Sequence, residues 1–258
     1  MMIRSLFYVG SVVCFILTMA FSARAETITL KAATLHFPPY SYAVKKHQVD
    51  GLSVALVRHI ARQAGVRVNI EVYPWSRALY LARKGNVDML FTAYKTLERE
   101  AYLDYGAEPL LMQEVSLFVA QESSFSTISS LLEKRHIQIS KRRGFSYGST
   151  IDGIFGRGAV QKQFIGNDDE QLVEMLAEGK VDAVPLNRIV ARFYQRKGYG
   201  IRDLRNSRSP VETVASYLTF SKKSKHRDVL KTFDAILIKM KKSGQYQTFI
   251  EDWLMRVK

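Results

Sequence analysis

Gly85-Asn-Val-Asp-Met-Leu-Phe-Thr-Ala-Tyr-Lys-Thr-Leu-Glu-Arg99 is the stretch on which the reading of this chain turns. A Gly-Asn turn precedes a short apolar run, Met89 to Thr92, which the pattern assigns to a buried strand. Thr96 is a capping residue placed directly before Leu97, so a helix is expected to begin there with Arg99 at its third position. A cation at that point opposes the partial positive charge of the free N–H groups. A bound anion removes the conflict. Helix N-termini attract carboxylates, and a guanidinium adds a planar, two-pronged donor of matching geometry. The competing reading is a solvated arginine flanked by Glu98 and Glu100, and spacing alone leaves both open.

Upstream, Met1-Met-Ile-Arg4, an apolar run from Ser5 to Phe21 and Ala23-Arg-Ala25 before Glu26 read as a secretory signal, residues 1–25, with a small-x-small cleavage site. An uncleaved anchor is the alternative, because the apolar run approaches spanning length. Cleavage after Ala25 would leave 233 of the 258 residues and lower the net charge from +14 to +12 through loss of Arg4 and Arg24. The single cysteine, Cys14, lies inside the signal, and Val12-Val13 before it does not suit a lipoprotein cleavage site. A mature chain without thiols excludes disulfides, iron–sulfur sites, thiolate zinc and cysteine nucleophiles. The full sequence is 47% hydrophobic, so the chain must carry its stability through a core, in one lobe or two. An exported chain without a lipid anchor is retained by the cell only behind an outer membrane, so the Gram-negative periplasm is the expected compartment. The basic residues are scattered, as at Lys141-Arg142-Arg143, Lys222-Lys223 and Lys239 to Lys242. Export and the lack of a continuous basic stripe argue against nucleic acid, and a solvated basic surface is the simpler explanation.

Two similar units organise the chain. Leu79 to Asp88 and Val173 to Asp182 each run from a helical pattern through a glycine to Val-Asp and into an apolar strand, with Gly85 and Gly179 94 residues apart. Helices alternating with strands imply layered α/β units, one copy per lobe. The first lobe is expected over residues 26–117 plus 218–258 and the second over 118–217. Crossovers at Val115 to Ala120 and Ala215 to Phe220 would make a two-stranded hinge, with ligand in the cleft. Within this scheme the sequence predicts a strand at His136 to Ser140, helices at Leu52 to Ala64 and Arg188 to Arg196, and a long amphipathic helix from about Lys225 to Lys242.

The ordered set Phe37-Pro-Pro-Tyr40, Gly51, Pro74-Trp75, Gly-x-Val-Asp, Thr96-x-x-Arg99, Tyr105-Gly-Ala-Glu-Pro109 and Ser243-Gly-Gln-Tyr246 through Trp253 spans the mature chain. It resembles the family 3 bacterial extracellular solute-binding proteins, the amino-acid receptors of ABC importers. The resemblance implies a two-lobe, type II periplasmic-binding-protein fold. It also implies a monomer that takes a small carboxylate ligand and serves an ABC permease, without enzymatic activity or cofactor. The matching arginine, Arg99, would grip the α-carboxylate, and Phe37 and Trp75 would flank the ligand side chain. Gly148, Ser149 and Thr150 match the second-lobe ligand loop, and a helix opening there would offer N–H groups and hydroxyls to an anion. Tyr40, Thr92, Tyr94, Thr96 and Tyr147 complete the expected binding set. Asn187 stands five residues after Asp182, where the family commonly places an aspartate for the α-ammonium, and Tyr94 replaces a small hydroxyl residue. Both departures bear on whether the ligand is a standard α-amino acid; organic acids and modified amino acids come next.

Two other chemistries compete. Gly144-Phe-Ser-Tyr-Gly148 has the Gly-x-Ser-x-Gly form of serine hydrolases, with Asp182 or Asp203 and then His226 following in order. Against it, Lys141-Arg-Arg143 separates the expected strand from the first glycine, no glycine-rich oxyanion segment lies upstream, and His226 reads as an exposed helix start. A lyase borne by the same cleft is the other enzyme alternative. The five histidines, His36, His47, His59, His136 and His226, show no metal-ligand spacing. Arg77, two residues after Trp75, is either a second cleft cation or a surface residue.

Overall fold

The computed structural model describes residues 27–45, 48–134, 136–156, 160–204 and 211–256. The expected signal, residues 1–25, lies outside them. The first strand, β1 (Thr29–Thr34), buries Leu30, Ala32 and Ala33. A hairpin of β2 (Tyr42–Lys45) and β3 (Gln48–Asp50) follows, then α1 (Leu52–Gln63), whose buried Val54, Leu56, Val57, Ile60 and Ala61 keep to one face. Gly51 opens α1 at φ 129, and a Cβ there would lie 2.3 Å from the Tyr40 carbonyl oxygen, so this approach requires glycine. Then come β4 (Arg67–Val72), α2 (Trp75–Lys84) and β5 (Met89–Tyr94). β1 runs between β4 and β5, parallel to both, which is the layered α/β unit expected of the first half.

After the short α3 (Leu97–Glu100) and β6 (Leu103–Tyr105), the chain enters β7 (Leu111–Ala120). A second α/β segment follows: α4 (Ile128–Leu132), β8 (Ile137–Arg142), α5 (Ser149–Gly156), β9 (Val160–Gly166), α6 (Asp169–Ala177), β10 (Val184–Asn187), α7 (Arg188–Arg196) and β11 (Ile201–Asp203). The chain returns through β12 (Glu212–Ser221) and ends in α8 (Val229–Lys242) and α9 (Gln245–Arg256), which pack on each other and on α1. β8 and β9 form a parallel pair of their own.

The two long strands tie the halves together. β7 and β12 are antiparallel partners over Leu111–Val115 and Glu212–Ser216. Farther along, β7 pairs with β10 and β11, whereas β12 pairs with β5 and β6. The result is an eight-stranded sheet ordered β10-β7-β12-β5-β1-β4, with β11 on β7 and β6 on β12. A large hydrophobic core surrounds β1, β5 and α1, and a smaller one gathers Leu117, Leu131, Ile139, Tyr147 and Ile151 under β7 and β8.

The repeated sequence unit is a repeated structure. Asp88 gives its backbone N–H to the Lys31 carbonyl (2.8 Å) and accepts the Lys31 N–H on its carboxylate (2.8 Å). Asp182 does the same with Gln138, at 2.7 and 2.9 Å. Each aspartate thus satisfies a donor and an acceptor on a neighbouring strand, β1 in one case and β8 in the other. Gly85 and Gly179 stop the preceding helices at φ 82 and φ 69.

Two of the boundaries that differ from the sequence reading bear on its arguments. α8 begins at Val229, not near Lys225, because the Ser221 and Ser224 hydroxyls accept the Lys223 and His226 N–H groups and hold a turn there. β8 continues to Arg142, where Lys141 and Arg142 pair with Ile165 and Gly166. The basic tripeptide therefore does not separate strand from Gly144, and that argument against a hydrolase elbow falls. Arg142, read as part of a solvated basic surface, is 1% exposed.

Candidate functional site

A cavity of about 30 Å³ lies where the ends of β1 and β5, the start of α2, the middle of β7, the 143–147 loop and the start of α6 meet. Its lining includes Phe37, Trp75, Thr92, Tyr94, Arg99, Tyr147 and Asn187 from the sequence reading. Leu35, Gln113, Val115 and Phe145 join them, as do Ser146 and Asp169.

Arg99 sits as its spacing requires. Thr96 caps α3 and accepts the Arg99 backbone N–H at 3.3 Å. The side chain turns inward: one guanidinium nitrogen donates to the Tyr94 carbonyl and the other to the Gly144 carbonyl, both at 2.9 Å. The guanidinium also lies 5.5 Å from the Trp75 ring centre. The residue is 5% exposed, burial pulls its pKa below the ordinary arginine value, and among the described residues no carboxylate pairs with it. The solvated-arginine reading is thereby excluded. Thr92, in the same wall, has φ 60, an outlier for a β-branched residue and the kind of strain that collects at binding sites.

Aromatic rings occupy the space between the two halves. Phe145 meets Phe37 and Trp75 edge-on, with centroids 6.4 and 6.3 Å apart. Its other side covers Arg142, whose guanidinium carbon is 4.2 Å from the ring centre. Arg142 donates to Asp169 at 2.9 Å and to the His36 carbonyl at 3.2 Å, so a buried ion pair of the second half reaches across to the first. Burial raises the Asp169 pKa against the pull of Arg142, and burial lowers that of His36.

Asn187 is the N-cap of α7. Its side-chain oxygen accepts from the Ile189 N–H (2.9 Å), the Val190 N–H (3.3 Å) and the Tyr40 hydroxyl (3.4 Å). Its amide nitrogen donates to Gln113 at 3.4 Å, and Gln113 also accepts from the Tyr94 hydroxyl at 3.1 Å. Tyr40 is thus one shell behind the lining, and Thr96 acts as a cap.

Gly148, Ser149 and Thr150 are not brought to the cavity. The start of α5 is already held by an anion of the chain itself: Glu212 accepts from the Ser149 N–H (3.2 Å), the Ser149 hydroxyl (3.1 Å) and the Thr150 N–H (2.6 Å). A Cβ at Gly148, φ 94, would come within 2.5 Å of that glutamate side chain. Arg77 is exposed and stacks on Tyr80 at 5.3 Å, away from the cavity. The Ser146 hydroxyl donates to Asp152 at 2.6 Å, whereas the His226 N–H bonds Ser224 in the turn before α8. Of the lining residues that sequence reasoning missed, Gln113 and Val115 could have been found from the alternation along β7, and Asp169 from its place at a helix start beside Asp168. Phe145 was visible only as part of a hydrolase-like motif.

The model of the bacterial extracellular solute-binding proteins, family 3, matches residues 30–256. The chain belongs to this family. No curated protein matches it in sequence. Among solved structures, it is similar to an arginine third transport system periplasmic binding protein from Legionella pneumophila. That match has TM-score 0.72 and 16% identity, and covers 88% of this chain and 99% of the other. A histidine kinase sensor domain with similarity to periplasmic binding proteins matches at TM-score 0.74 and 19% identity, over 90% and 97% of the two chains. An ancestral amino-acid-binding protein, described as a precursor of cyclohexadienyl dehydratase, matches at TM-score 0.70 and 19% identity, over 87% and 94%. These likenesses establish the type II periplasmic-binding-protein fold for this member of family 3. Among the described residues, no helix is long and apolar enough to cross a membrane and no group of His, Cys, Asp or Glu side chains is arranged to hold a metal ion.

Proposed function

We propose that the protein is a periplasmic receptor whose two lobes close over a small carboxylate-bearing ligand, an amino acid or a relative of one, and deliver it to an ABC permease. The lobes are residues 26–117 with 218–258 and residues 118–217, joined by crossings near Phe118 and Tyr217. The receptor is a monomer and needs neither cofactor nor catalytic step. One observation carries this reading: Arg99 is buried in the cavity wall with backbone carbonyls, not a carboxylate, as its hydrogen-bond partners. A buried guanidinium without a counter-charge is costly, and a ligand carboxylate supplies one in the right geometry. Phe37 and Trp75 contribute apolar walls for the rest of the ligand. A binding role is favoured over hydrolysis because Ser146 donates to Asp152 and has no histidine partner among the described residues.

Mass spectrometry of small molecules released from the denatured, purified protein identifies the ligand class. With that ligand, Arg99→Lys is expected to lose at least about tenfold in affinity by calorimetry while the circular dichroism spectrum is unchanged, since lysine keeps the charge but not the fork. Unchanged affinity would remove the carboxylate assignment. Ser146→Ala is expected to alter no ester-hydrolysis rate, and Ser146-dependent turnover would restore the enzyme reading.

A further inference from the structure

The two side-chain amides at the polar end of the cavity are already committed as acceptors. The Asn187 side-chain oxygen already takes three donors, from Tyr40, Ile189 and Val190, and the Gln113 side-chain oxygen takes two, from Tyr94 and Asn187. Both amides are neutral, and the backbone N–H groups of α7 fix the orientation of Asn187, so it cannot be turned to offer a fresh lone pair. An α-ammonium brings three donors and a positive charge. At these two amides it would meet oxygens that already accept.

The charges point the same way. Asp169 is the one carboxylate in the described lining, and it is committed to Arg142. That pair sums to zero, so Arg99 leaves a surplus of one positive charge in the lining itself; behind it the Asp152 carboxylate, held by the Ser146 hydroxyl and the Tyr147 N–H, acts on Arg99 without pairing with it. A ligand of net charge −1 neutralises the surplus; a neutral zwitterion does not. Protonation of Asp169 would only enlarge the positive excess.

We infer that this cleft selects carboxylates whose α-carbon carries no ammonium, that is, plain, 2-hydroxy or 2-oxo monocarboxylic acids, in preference to zwitterionic α-amino acids. The inference rests on the reading that Arg99 takes a carboxylate. The protons of the Tyr40 and Tyr94 hydroxyls are given to Asn187 and Gln113, but the Tyr147 hydroxyl in the lining accepts the Arg142 N–H and keeps its own proton for a 2-hydroxy or 2-oxo group, whereas an ammonium, a donor only, meets committed amide oxygens.

The test uses matched probes: lactate against alanine, 4-methyl-2-oxopentanoate against leucine, and 3-phenylpropionate against phenylalanine. Affinities are measured by calorimetry on the ligand-stripped mature protein, Asn187→Asp, Gln113→Glu and Arg99→Lys. Aspartate caps a helix as well as asparagine, so Asn187→Asp is expected to fold, and Gln113→Glu places a carboxylate beside it on another strand. For the wild type, the acid that binds should do so at least about tenfold more tightly than its amino partner, and either carboxylate variant should narrow or reverse that order. An amino acid that binds the wild type as tightly as its partner acid overturns the inference and leaves the carboxylate receptor standing. Silence of every probe up to about 1 mM, with no thermal shift in the wild type or in Arg99→Lys, overturns both.

Discussion

Phe145 is the side chain on which the cavity's size depends. It stands between Phe37 and Trp75 with the Arg142 guanidinium 4.2 Å from its centre, so one ring both fills the aromatic slot and covers the buried ion pair. Phe145→Ala should cost about 1–2 kcal/mol of stability, since the ring is only half-buried. It should also extend the ligand range to bulkier side chains, which a calorimetric comparison of short and long carboxylates would detect. Equal affinities in the variant and the wild type across that series would mean that the ring moves aside at no cost. Arg99 was legible because a cap three residues earlier fixed its place on a helix. Arg142 was not: a basic tripeptide looks solvated, and its carboxylate partner is 27 residues away on another element.

The elements of the fold are held by carboxylates that reach across to backbone groups. Asp88 accepts the Lys31 N–H at 2.8 Å and the Ser224 hydroxyl at 2.6 Å, so Asp88→Ala would leave a strand donor unsatisfied. A loss of about 1–3 kcal/mol is expected from urea denaturation of the variant. Glu212 plays a comparable part at the start of α5. Burial pushes its pKa up, but hydrogen bonds from Thr150 and Ser149 outweigh that and hold it below the ordinary glutamate value. Its folded pKa being the lower one, Glu212 contributes stability that is complete above the unfolded value, about 4.3, and disappears as pH falls through the folded value. Melting temperatures of Glu212→Gln and the wild type should therefore converge on acidification through about pH 4 and below. A difference that stays constant with pH would assign the effect to packing. The sequence revealed most elements, including α7 to the residue, because glycine stops and polar caps bracket them. It misjudged the start of α8, where serine hydroxyls compete with the helix, and it offered α5 to a ligand because Glu212 lies 62 residues beyond Thr150.

At the scale of the whole molecule, the two-lobe plan was legible from the paired Gly-x-Val-Asp units, each of which bonds a strand of its own half. Contacts between the halves were not legible, since they join residues as far apart as Arg142 and His36, separated by 106 positions. Their proximity allows a direct test of closure. A Cβ at Gly144 would lie 3.7 Å from the Ser76 Cβ, close to the spacing of about 3.8 Å in disulfides. The chain beyond residue 25 carries no cysteine, so Ser76→Cys with Gly144→Cys introduces a single thiol pair. Once oxidised, this variant should fail to take up ligand, and reduction should restore uptake, as read by calorimetry. Undiminished uptake by the oxidised form would show that the ligand does not enter between these loops. The cavity is walled from both sides, by Phe37, Trp75 and Arg99 of the first half and by Phe145, Tyr147 and Asn187 of the second. If a carboxylate is held between these walls as proposed, the halves must part to admit it, and opening becomes a first-order event that comes before contact. In stopped-flow mixing the observed rate should therefore level off at high ligand concentration, and the plateau should be the same for every ligand, because it counts openings of the protein and not encounters with the solute.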